Sequence, residues 1–342
     1  MAEPEPAPPA VDGRRRTPAT IYDIARALGV SASTVSRALH KPGRVSAQTE
    51  ARIRAAADEL GYRINPMARA LPTGRSGTLA LVLSDITNPV YFDLVRGAER
   101  VASAAGSSLV LAESQESAAA ELDVARRLQV SCDGLLLVGS RLDDATVREL
   151  AADKPLVLLN RLVEGVPGLA PEVGPGIRAA LDHLVGLGHR SLVYLSGPVS
   201  SWMSRARWEA LLDEAVARGV SIVEVGPGAP TLAGGESSVR RVLASGATAV
   251  LAFNDLMAIG LLQACRAAGV DVPGRLSVLG FDDIFGSALT TPAVTTVRSP
   301  LGDLGAAGVR DLLARVEGGA PSTPVVLGTE LVVRESTAAP AS

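Results

Sequence analysis

A short stretch near the start of the chain carries side chains that could read the edges of nucleic-acid bases. Hydroxyl groups, a methyl group and a guanidinium group lie within about two helical turns of one another. They belong to Ser31, Ala32, Ser33, Thr34, Ser36 and Arg37. The fork of Arg37 suits guanine O6 and N7, a contact that discriminates a base by ~1–3 kcal/mol, and the Ala32 methyl suits thymine. The amides exposed behind Ser31 suit a phosphate group. The stretch therefore predicts base contacts made by the start of a helix.

Three short helices must position this stretch. We predict the first over Ile21–Leu28, the second after a cap at Ser31, and the third over Ala47–Leu60. A tight turn at Gly29 joins the first two, which is typical of a helix-turn-helix, whose second helix enters the major groove. The alternative is an ordinary three-helix bundle with solvated serines and arginines. For the helix-turn-helix we expect phosphate contacts from Tyr22, Ser36, His40 and Arg44.

Charge is divided unevenly along the 342 residues, although the net charge is only −3. Residues 13–76 carry a net charge of +8, and residues 77–342 carry a net charge of −8. A small basic unit joined to a large acidic one favours nucleic-acid binding by the first. With 47% hydrophobic residues, the chain can also bury large cores and is not globally disordered.

Composition also excludes several classes of protein. No stretch approaches the ~18 uncharged apolar residues of a membrane span, and the N-terminus lacks the apolar region of a secretory signal. Two cysteines give neither a disulfide framework nor a metal spacing. We therefore expect a cytoplasmic protein with no membrane partner, no metal and no cofactor.

From residue 77 onward, short apolar runs alternate with amphipathic helices. Nine runs read as strands buried on both faces, among them TLALVLSD, GLLLVG, SLVYLSG, AVLAFN and LSVLGFD. This alternation predicts an α/β core of two parallel-sheet lobes beside the small all-α head. The Gly/Pro-rich residues 165–176 are the expected lobe boundary.

Polar side chains follow several of these strands. Open α/β sheets bind ligands at the carboxyl ends of their strands, so such side chains could bracket a polyhydroxylated ligand over an aromatic floor. Asp255 and Asp283 are better interpreted as helix caps. The remaining candidates are Asp85, Asn88, Tyr91, Phe92, Asn160, Arg161, Arg207, Asn254 and Asp282.

The motifs reached so far closely resemble one family, the lactose-repressor (LacI) family of bacterial transcription regulators. The resemblance covers residues 20 to about 336, and its marks stand in order: TIYDIARALGVSASTVSRAL, INPMARAL, TGRSGTLALVLSDITNP, HLVGLGHR, AFNDLMAIG, VLGFDDI and ELVVREST. It implies an N-terminal helix-turn-helix, a hinge helix, and a two-lobed core similar to periplasmic sugar-binding proteins. The implied organisation is a disordered tail (1–19), the helix-turn-helix domain (20–64), the hinge helix and linker (65–76), and the core (77–342). Within the core, the N-lobe covers about 77–174 plus 300–322, and the C-lobe covers about 175–299 plus 323–338.

The hinge segment matches the family at a helix that folds only when two copies meet over the minor groove. Residues 65–71 span about two turns, well below the ~12–15 residues that an isolated helix needs. Leu71 matches the wedge leucine, and apolar wedges unstack a base step and bend the duplex. The matching positions, which we expect to contact DNA, are Asn65, Ala68, Arg69 and Leu71.

The resemblance also sharpens the ligand site. Arg207 matches the ligand-binding arginine of the family, and Asn254 and Asp282 match the polar pair on opposing strand ends. Phe92 and Asn160 match positions that line the N-lobe side. Where the family often has an aromatic residue after the sixth core strand, this chain has GPGAPTLAGG. Trp202, expected on the loop after Pro198, is a candidate to replace it.

These observations predict a sequence-specific DNA-binding transcription regulator that acts as a repressor and is controlled by a small molecule. We expect this small molecule to be a sugar or sugar derivative. A homodimer on a near-palindromic double-stranded operator is expected, in the cytoplasm and associated with the nucleoid. No apolar heptads follow Glu330, so a tetramer helix is not expected. Two other classes remain open. A solute-binding module would not bind DNA, and a sugar-processing enzyme would show turnover, although no catalytic motif stands in the sequence.

Overall fold

The computed structural model describes residues 19–40, 44–62, 75–319 and 327–341. Contacts divide the chain into two compact units, one up to Gly74 and one from Arg75 onward, and each is described by itself. The predicted tail, the hinge helix and its contact residues lie outside the described residues, namely positions 1–18, Asn65, Ala68, Arg69 and Leu71. The side chain of His40 also lies outside them.

The described part of the first unit contains three helices, α1 (Ile21–Leu28), α2 (Ala32–His40) and α3 (Ala47–Glu59). Each begins where the sequence offers a hydroxyl cap. Thr20 and Asp23 form a capping box at α1, and the Ser46 side chain accepts the Thr49 amide at α3. Gly29 ends α1 with a φ of 66°, a left-handed conformation that favours glycine.

Branched side chains from all three helices meet in one small core. Ile24, Val35 and Ile53 are fully buried, and the alanines around them let the helices approach closely. Leu60, expected to face inward with Ile53, is 42% exposed because α3 ends at Glu59. With so few buried side chains, the stability of this unit depends strongly on each of them.

The second unit contains two lobes, each built around one sheet. The N-lobe strands are β1 (Thr78–Leu83), β2 (Ser108–Glu113), β3 (Gly134–Val138), β4 (Leu156–Leu159) and β5 (Gly168–Leu169), in the order β2-β1-β3-β4-β5. All of these pairs are parallel. The N-lobe helices are α4 (Tyr91–Ala104), α5 (Ala118–Ser131), α6 (Asp144–Asp153) and, from later in the chain, α11 (Leu301–Val316). Helix α11 packs closely on α4, where Gly97 faces the Gly302 backbone with no room for a Cβ.

The C-lobe sheet has six strands in the order β11-β10-β9-β8-β6-β7. They are β6 (Ser191–Leu195), β7 (Ser221–Val225), β8 (Ala249–Ala252), β9 (Ser277–Asp282), β10 (Thr295–Arg298) and β11 (Glu330–Val332). The helices are α7 (Val173–Gly186), α8 (Trp202–Ala217), α9 (Leu232–Ala244), α10 (Asp255–Ala267) and a 3-10 helix over Phe285–Ala288.

The predicted fold class is confirmed. One edge of the C-lobe sheet departs from the parallel pattern, because strand β11 pairs with β10 in the antiparallel direction. The sequence did not predict β5 or β11, because strands of two and three residues carry too short an apolar run to detect. Helix α7 begins at Val173, inside the stretch expected to be an irregular boundary.

A buried histidine ties the C-terminal segment to the C-lobe. His189 is 1% exposed, and its Nε2 lies 2.9 Å from the Ala338 carbonyl oxygen while its Nδ1 lies 2.8 Å from the Thr248 hydroxyl. Because a carbonyl only accepts, Nε2–H donates to Ala338 and Nδ1 accepts from Thr248, which is the pattern of a neutral ring. Burial lowers the pKa of His189, although the bond to Ala338 acts in the opposite direction.

Replacing His189 with glutamine should cost about 2 kcal/mol of unfolding free energy at pH 7.5, since buried partners lose their bonds. The pKa of His189 in the folded protein lies below its unfolded value near 6.5. At pH values between these two pKa values, the unfolded chain therefore binds more protons than the folded chain. Wild-type stability therefore falls as the pH drops below about 6.5, and the variant should lack this contribution. Urea unfolding at pH 7.5 and 5.5 should show the gap between the proteins narrowing at the lower pH. A constant or wider gap would contradict a neutral His189.

Candidate functional site

The start of α2 is organised by the hydroxyl of Ser31. Its Oγ accepts the Thr34 amide at 3.1 Å and lies 2.8 Å from the hydroxyls of both Ser33 and Thr34. The cap predicted at Ser31 is therefore present. These bonds fix the first turn of the helix at the place where base contacts were predicted.

The predicted DNA-contacting side chains of the first unit lie largely at its surface. Tyr22 is 65% exposed, and Arg37 is exposed and donates one bond, from Nε to the Ser33 carbonyl at 3.1 Å. Its remaining guanidinium donors form no bond within the described residues. Exposed positions are Ser31, Ser33, Arg37 and Arg44, and half-buried positions are Ala32, Thr34 and Ser36. Hydroxyls and guanidinium groups are thus available at the surface of this unit.

In the second unit, the centre of the C-lobe site is a buried ion pair. Arg207 on α8 is 5% exposed, and its Nη2 lies 2.9 Å from Asp282 Oδ1 at the end of β9. Nη1 of Arg207 also donates to the Phe253 carbonyl. Burial raises the pKa of Asp282, and the neighbouring Arg207 acts in the opposite direction. The backbone of Asp282, at the end of β9, has a φ of 108°, a conformation that non-glycine residues rarely adopt.

Two aromatic rings enclose the Arg207 guanidinium. Its Cζ lies 4.2 Å from the Phe281 ring centroid and 5.0 Å from that of Phe253. A desolvated guanidinium against ring faces gains cation–π attraction and cannot turn into solvent. The arrangement holds an arginine and a carboxylate in fixed positions at the strand ends.

At the start of α10, the residue that caps the helix is not the one expected. Asn254, not Asp255, caps the helix, because its Oδ1 accepts the Met257 amide at 2.9 Å. Its Nδ2 donates to the Pro230 carbonyl at 3.0 Å, so a ligand role for Asn254 stays a prediction. Asp255 is fully buried and accepts bonds from Ile284, Ser287 and Thr296. Burial first, and then the charge of Asp282, raise the pKa of Asp255 to about 7.

The lack of a side chain at Gly280 and two arginines that pair with Asp283 explain two further features at the end of β9. A Cβ on Gly280 would lie 2.0 Å from Asp255 Oδ1, so β9 needs glycine there. Asp283, also expected to be a cap, instead pairs with Arg298 at 2.7 Å and Arg334 at 2.5 Å. The prediction of a cap at Asp283 was wrong because the short helix beyond it begins only at Phe285.

Three buried polar atoms around the cleft have no hydrogen-bond partner among the described residues: Asn160 Oδ1, Ser196 Oγ and Arg207 Nε. Asn160 follows β4 of the N-lobe, with a φ of 58°, and Ser196 follows β6 of the C-lobe. A buried polar atom without a partner costs ~1–3 kcal/mol. Such atoms at the carboxyl ends of strands are suited to bind a polar ligand.

Two candidates differ from expectation in their local contacts or in the element that carries them. Arg161 is 7% exposed and binds its own lobe, through the Ser140 carbonyl at 2.9 Å and Asp144 at 2.6 Å. Trp202 is the first residue of α8, capped by Ser201, so its assignment to a loop was wrong. Both line a cavity of about 630 Å³ between the lobes, and their contact with a ligand stays a prediction.

Sequence reasoning included Tyr91 among the cleft candidates but missed the polar cluster around it on the N-lobe side. Tyr91 OH lies 2.7 Å from Ser84 Oγ, and burial raises the pKa of Tyr91 to about 12. Arg141 donates from Nε to Glu116 Oε2 at 2.7 Å and from Nη1 to the Gly139 carbonyl at 2.7 Å. Glu116, Arg141 and Asp282 also influence the Tyr91 hydroxyl electrostatically, which places it near the C-lobe site. Extending the search for polar strand ends to β2 and β3 would have found Glu116 and Arg141.

Within the described ranges, no cluster of three or more His, Cys, Asp or Glu side chains could hold a metal ion. None of the helices in those ranges is long and apolar enough to cross a membrane.

A helix-turn-helix unit and a two-lobed α/β unit with polar strand ends define a class of protein, the transcription regulators with a ligand-binding core. Comparison with known proteins agrees. Residues 20–65 match the model of the lacI family of bacterial regulatory proteins, and residues 181–337 match that of a periplasmic binding protein-like domain. The transcriptional regulator GalR of Escherichia coli K12 is 32% identical over 83% of this chain and 85% of its own. The ribose operon repressor of Halalkalibacterium halodurans is 32% identical over 93% of this chain and 97% of its own.

A crystal structure of the lac repressor dimer, bound to operator and an anti-inducer, superposes with a TM-score of 0.85. It is 28% identical and covers 94% of this chain and 100% of that chain. The protein belongs to the LacI family. It is a DNA-binding transcription regulator rather than an enzyme, as the sequence predicted.

Proposed function

We propose that this protein represses transcription from an operator and that a small molecule bound between the core lobes controls its affinity for that operator. The observation that carries the second part is the buried Arg207–Asp282 pair, with unpartnered polar atoms on Asn160, Ser196 and Arg207 around it. The ligand class we propose is a sugar or sugar derivative. Carboxylate, amide and guanidinium groups suit neighbouring hydroxyls, and a similar chain is named the ribose operon repressor.

The ligand would exchange hydrogen bonds with groups from both lobes. The C-lobe supplies Arg207, Asp282 and Asn254, and the N-lobe supplies Asn160, with Phe92, Arg161 and Trp202 at the edges. Since β4 and β6 belong to different sheets, a ligand that bonds both favours one separation of the lobes. It changes operator affinity only by the difference between its affinities for the two states of the protein.

On DNA, we propose that α2 lies in the major groove. Arg37 and the small residues Ala32, Ser33 and Thr34 would read base edges, and Tyr22, Ser31, Ser36, His40 and Arg44 would hold phosphates. Asn65, Ala68, Arg69 and the wedge Leu71 would act in the minor groove. The net charge of +8 over residues 13–76 makes this binding dependent on salt.

We propose a homodimer on a near-palindromic site, as in the dimer of the similar lac repressor structure. The N-lobe sheet offers an edge for such contact, because Val110 and Leu111 of β2 are 39% and 40% exposed. We propose that the protein acts in the cytoplasm and that its DNA-bound form is associated with the nucleoid.

Replacing Arg37 with alanine should relax one base position of the operator instead of weakening all DNA equally. Losing a bidentate guanine contact costs ~1–3 kcal/mol at that position. Sites selected from a randomised pool by wild type and variant should differ at one position of each half-site. Arg54→Ala, on α3, is the control, because its guanidinium pairs with Glu50 on its own helix. An unchanged preference for the Arg37 variant would remove it from base reading.

The proposed function is tested by a selection and a screen on the full chain. Selection from random duplexes should recover a two-fold-related site. A thermal-shift screen of pentoses, hexoses, disaccharides, nucleosides and sugar phosphates should find at least one compound that stabilises the core. Failure to recover any preferred duplex would contradict the operator role, and the absence of any stabilising compound would contradict the effector role.

A further inference from the structure

A single carboxylate binds the first residues of the second unit to the N-lobe sheet. Asp133 immediately precedes β3, and its Oδ1 accepts the Ser76 amide at 2.7 Å and the Ser76 hydroxyl at 3.0 Å. Its Oδ2 accepts the Gly77 amide at 2.7 Å. These bonds join residues that are 57 and 56 positions apart. They therefore fix the chain before β1 to a different strand of the sheet.

The segment that Asp133 binds contains a point at which the backbone can rotate. Gly77 has a φ of 67°, and glycine also adopts many other conformations at little cost. A Cβ there would meet no atom within 4 Å apart from those of its chain neighbours, so packing does not restrain this residue. On one side of it Asp133 binds the Ser76 amide, and on the other the Asp133 amide donates to the Thr78 carbonyl at 2.7 Å. Asp133 thus holds both sides of Gly77 in one conformation.

Strand β3 connects Asp133 to the proposed effector cleft. Its five residues, Gly134–Val138, are all buried and span about 17 Å. At the far end, Val138 lies beside Leu159 of β4, and Asn160 follows directly. Because a close-packed strand between two neighbours cannot bend alone, a ligand that moves the N-lobe at Asn160 also moves Asp133.

A second anchor for this segment lies at the end of α11. Nη2 of Arg75 donates to the carbonyl of Val316, the last residue of that helix, at 2.8 Å. Carbonyl groups at a helix C-terminus lack partners within the helix and attract cations. Helix α11 begins at Leu301, just after the chain leaves β10 of the C-lobe, and its 16 residues span about 24 Å. The chain before β1 is therefore bound to two elements that extend to the junction of the lobes.

We propose that Asp133 is the positioning residue that transmits the state of the core lobes to the DNA-binding part of the chain. With Gly77 held, the direction in which the chain enters the core is set by the N-lobe sheet. With Gly77 free to rotate, the residues before Arg75 would bind DNA in the same way in both states of the lobes. A ligand would then have no difference to act on, because coupling requires differential affinity for the two states. This proposal rests on the proposed function and assigns a residue to its coupling.

The first measurement is the operator affinity of full-length Asp133→Asn without any ligand, on the duplex selected by wild type. The side-chain amide replaces an acceptor oxygen with a donor, so at least one bond to Ser76 or Gly77 is lost. Fixing the backbone of one residue is worth ~5- to 30-fold in an equilibrium constant, and operator affinity should fall by at least ~5-fold. Ser76→Ala should have a smaller effect, because both amide bonds remain.

Gln129→Ala is the matched control for loss of an N-lobe hydrogen bond. Nε2 of Gln129 donates to the Leu150 carbonyl at 2.9 Å, which joins α5 to α6 rather than to the chain before β1. Its operator affinity should stay within ~2-fold of wild type.

The second measurement separates coupling from stability. D-ribose, D-galactose, D-glucose and D-xylose are titrated calorimetrically, and a sugar that binds is then used at saturation in operator titrations. Sugar should change operator affinity by at least ~5-fold in wild type and in Gln129→Ala, and by ~2-fold or less in Asp133→Asn. The affinity of Asp133→Asn for the sugar without DNA should equal that of wild type, since Asp133 lies at the other end of β3 from the cleft.

Each contrary result has a distinct meaning. If wild type and Asp133→Asn respond equally to the sugar, Asp133 does not transmit the state of the lobes, and the proposed function stands. Equal losses in Gln129→Ala would also overturn the proposal, because general loosening of the N-lobe would then explain them. If none of these sugars changes the operator affinity of wild type, control by a sugar is contradicted together with this proposal.

Discussion

Arg207→Ala should abolish the response to effector and leave operator binding intact. The substitution removes the guanidinium that lies 2.9 Å from Asp282 and between two phenylalanine rings. Truncating one partner of a buried charged pair at a binding site costs ~2–5 kcal/mol of binding free energy, or roughly 30- to 5,000-fold in affinity. Calorimetry with the sugar that stabilises wild type most should show this loss. Operator titrations without the sugar should give wild-type affinity, because the helix-turn-helix unit is untouched.

The same variant should be less stable, since Asp282 is left buried without its counter-ion. Breaking a buried pair costs ~3–5 kcal/mol, and this loss should appear in the unfolding of the core. Arg205→Ala is a matched control two residues away. Arg205 is exposed and forms no ion pair within the described residues. The unfolding free energy of the Arg205→Ala variant should therefore differ from that of wild type by less than ~0.5 kcal/mol. Equal effects of the two substitutions would contradict the central position of Arg207.

Ile53→Ala should remove operator binding and leave effector binding unchanged. Ile53 is fully buried where α1, α2 and α3 meet, and truncating a buried isoleucine costs ~2–5 kcal/mol. A core this small supplies ~3–5 kcal/mol in total, so most of the helix-turn-helix unit unfolds. Operator affinity should fall by at least ~100-fold in an anisotropy titration, while the thermal shift given by the sugar stays as in wild type.

Gln48→Ala is the control for this prediction, because Gln48 is an exposed position of the same helix. Its operator affinity should stay within ~2-fold of wild type. If Ile53→Ala retained operator binding, α2 would not need the three-helix core to present its side chains. If it also lost the thermal shift, the two units would not unfold independently.

Most of the architecture follows from patterns that are local in sequence. Continuous apolar runs predict strands buried on both faces, and caps such as Ser31 and Ser46 mark where helices begin, because hydroxyl-to-amide bonds span only three residues. The antiparallel β11 was missed because three residues cannot show a period. Its pairing is decided by where the chain returns after α11.

Side-chain partners were harder to predict than positions. Arg161 stands at a strand end as expected, yet it binds Ser140 and Asp144 because these lie across the neighbouring strand connection. The cap of α10 is Asn254 instead of Asp255 for a similar reason. Ser287 and Thr296, distant in sequence, surround Asp255 with donors and leave the helix cap to Asn254. Such choices depend on three-dimensional neighbours that one sequence does not reveal.

The most direct measurement is operator affinity of the wild-type chain with and without the stabilising sugar, at 50 and 200 mM salt. We expect specific binding that weakens by at least ~10-fold between the two salt concentrations, as phosphate contacts release counterions. We also expect saturating sugar to change operator affinity by at least ~5-fold, a typical coupling between two sites. Operator affinity that responds neither to salt nor to any compound bound by the core would contradict a ligand-controlled DNA-binding regulator.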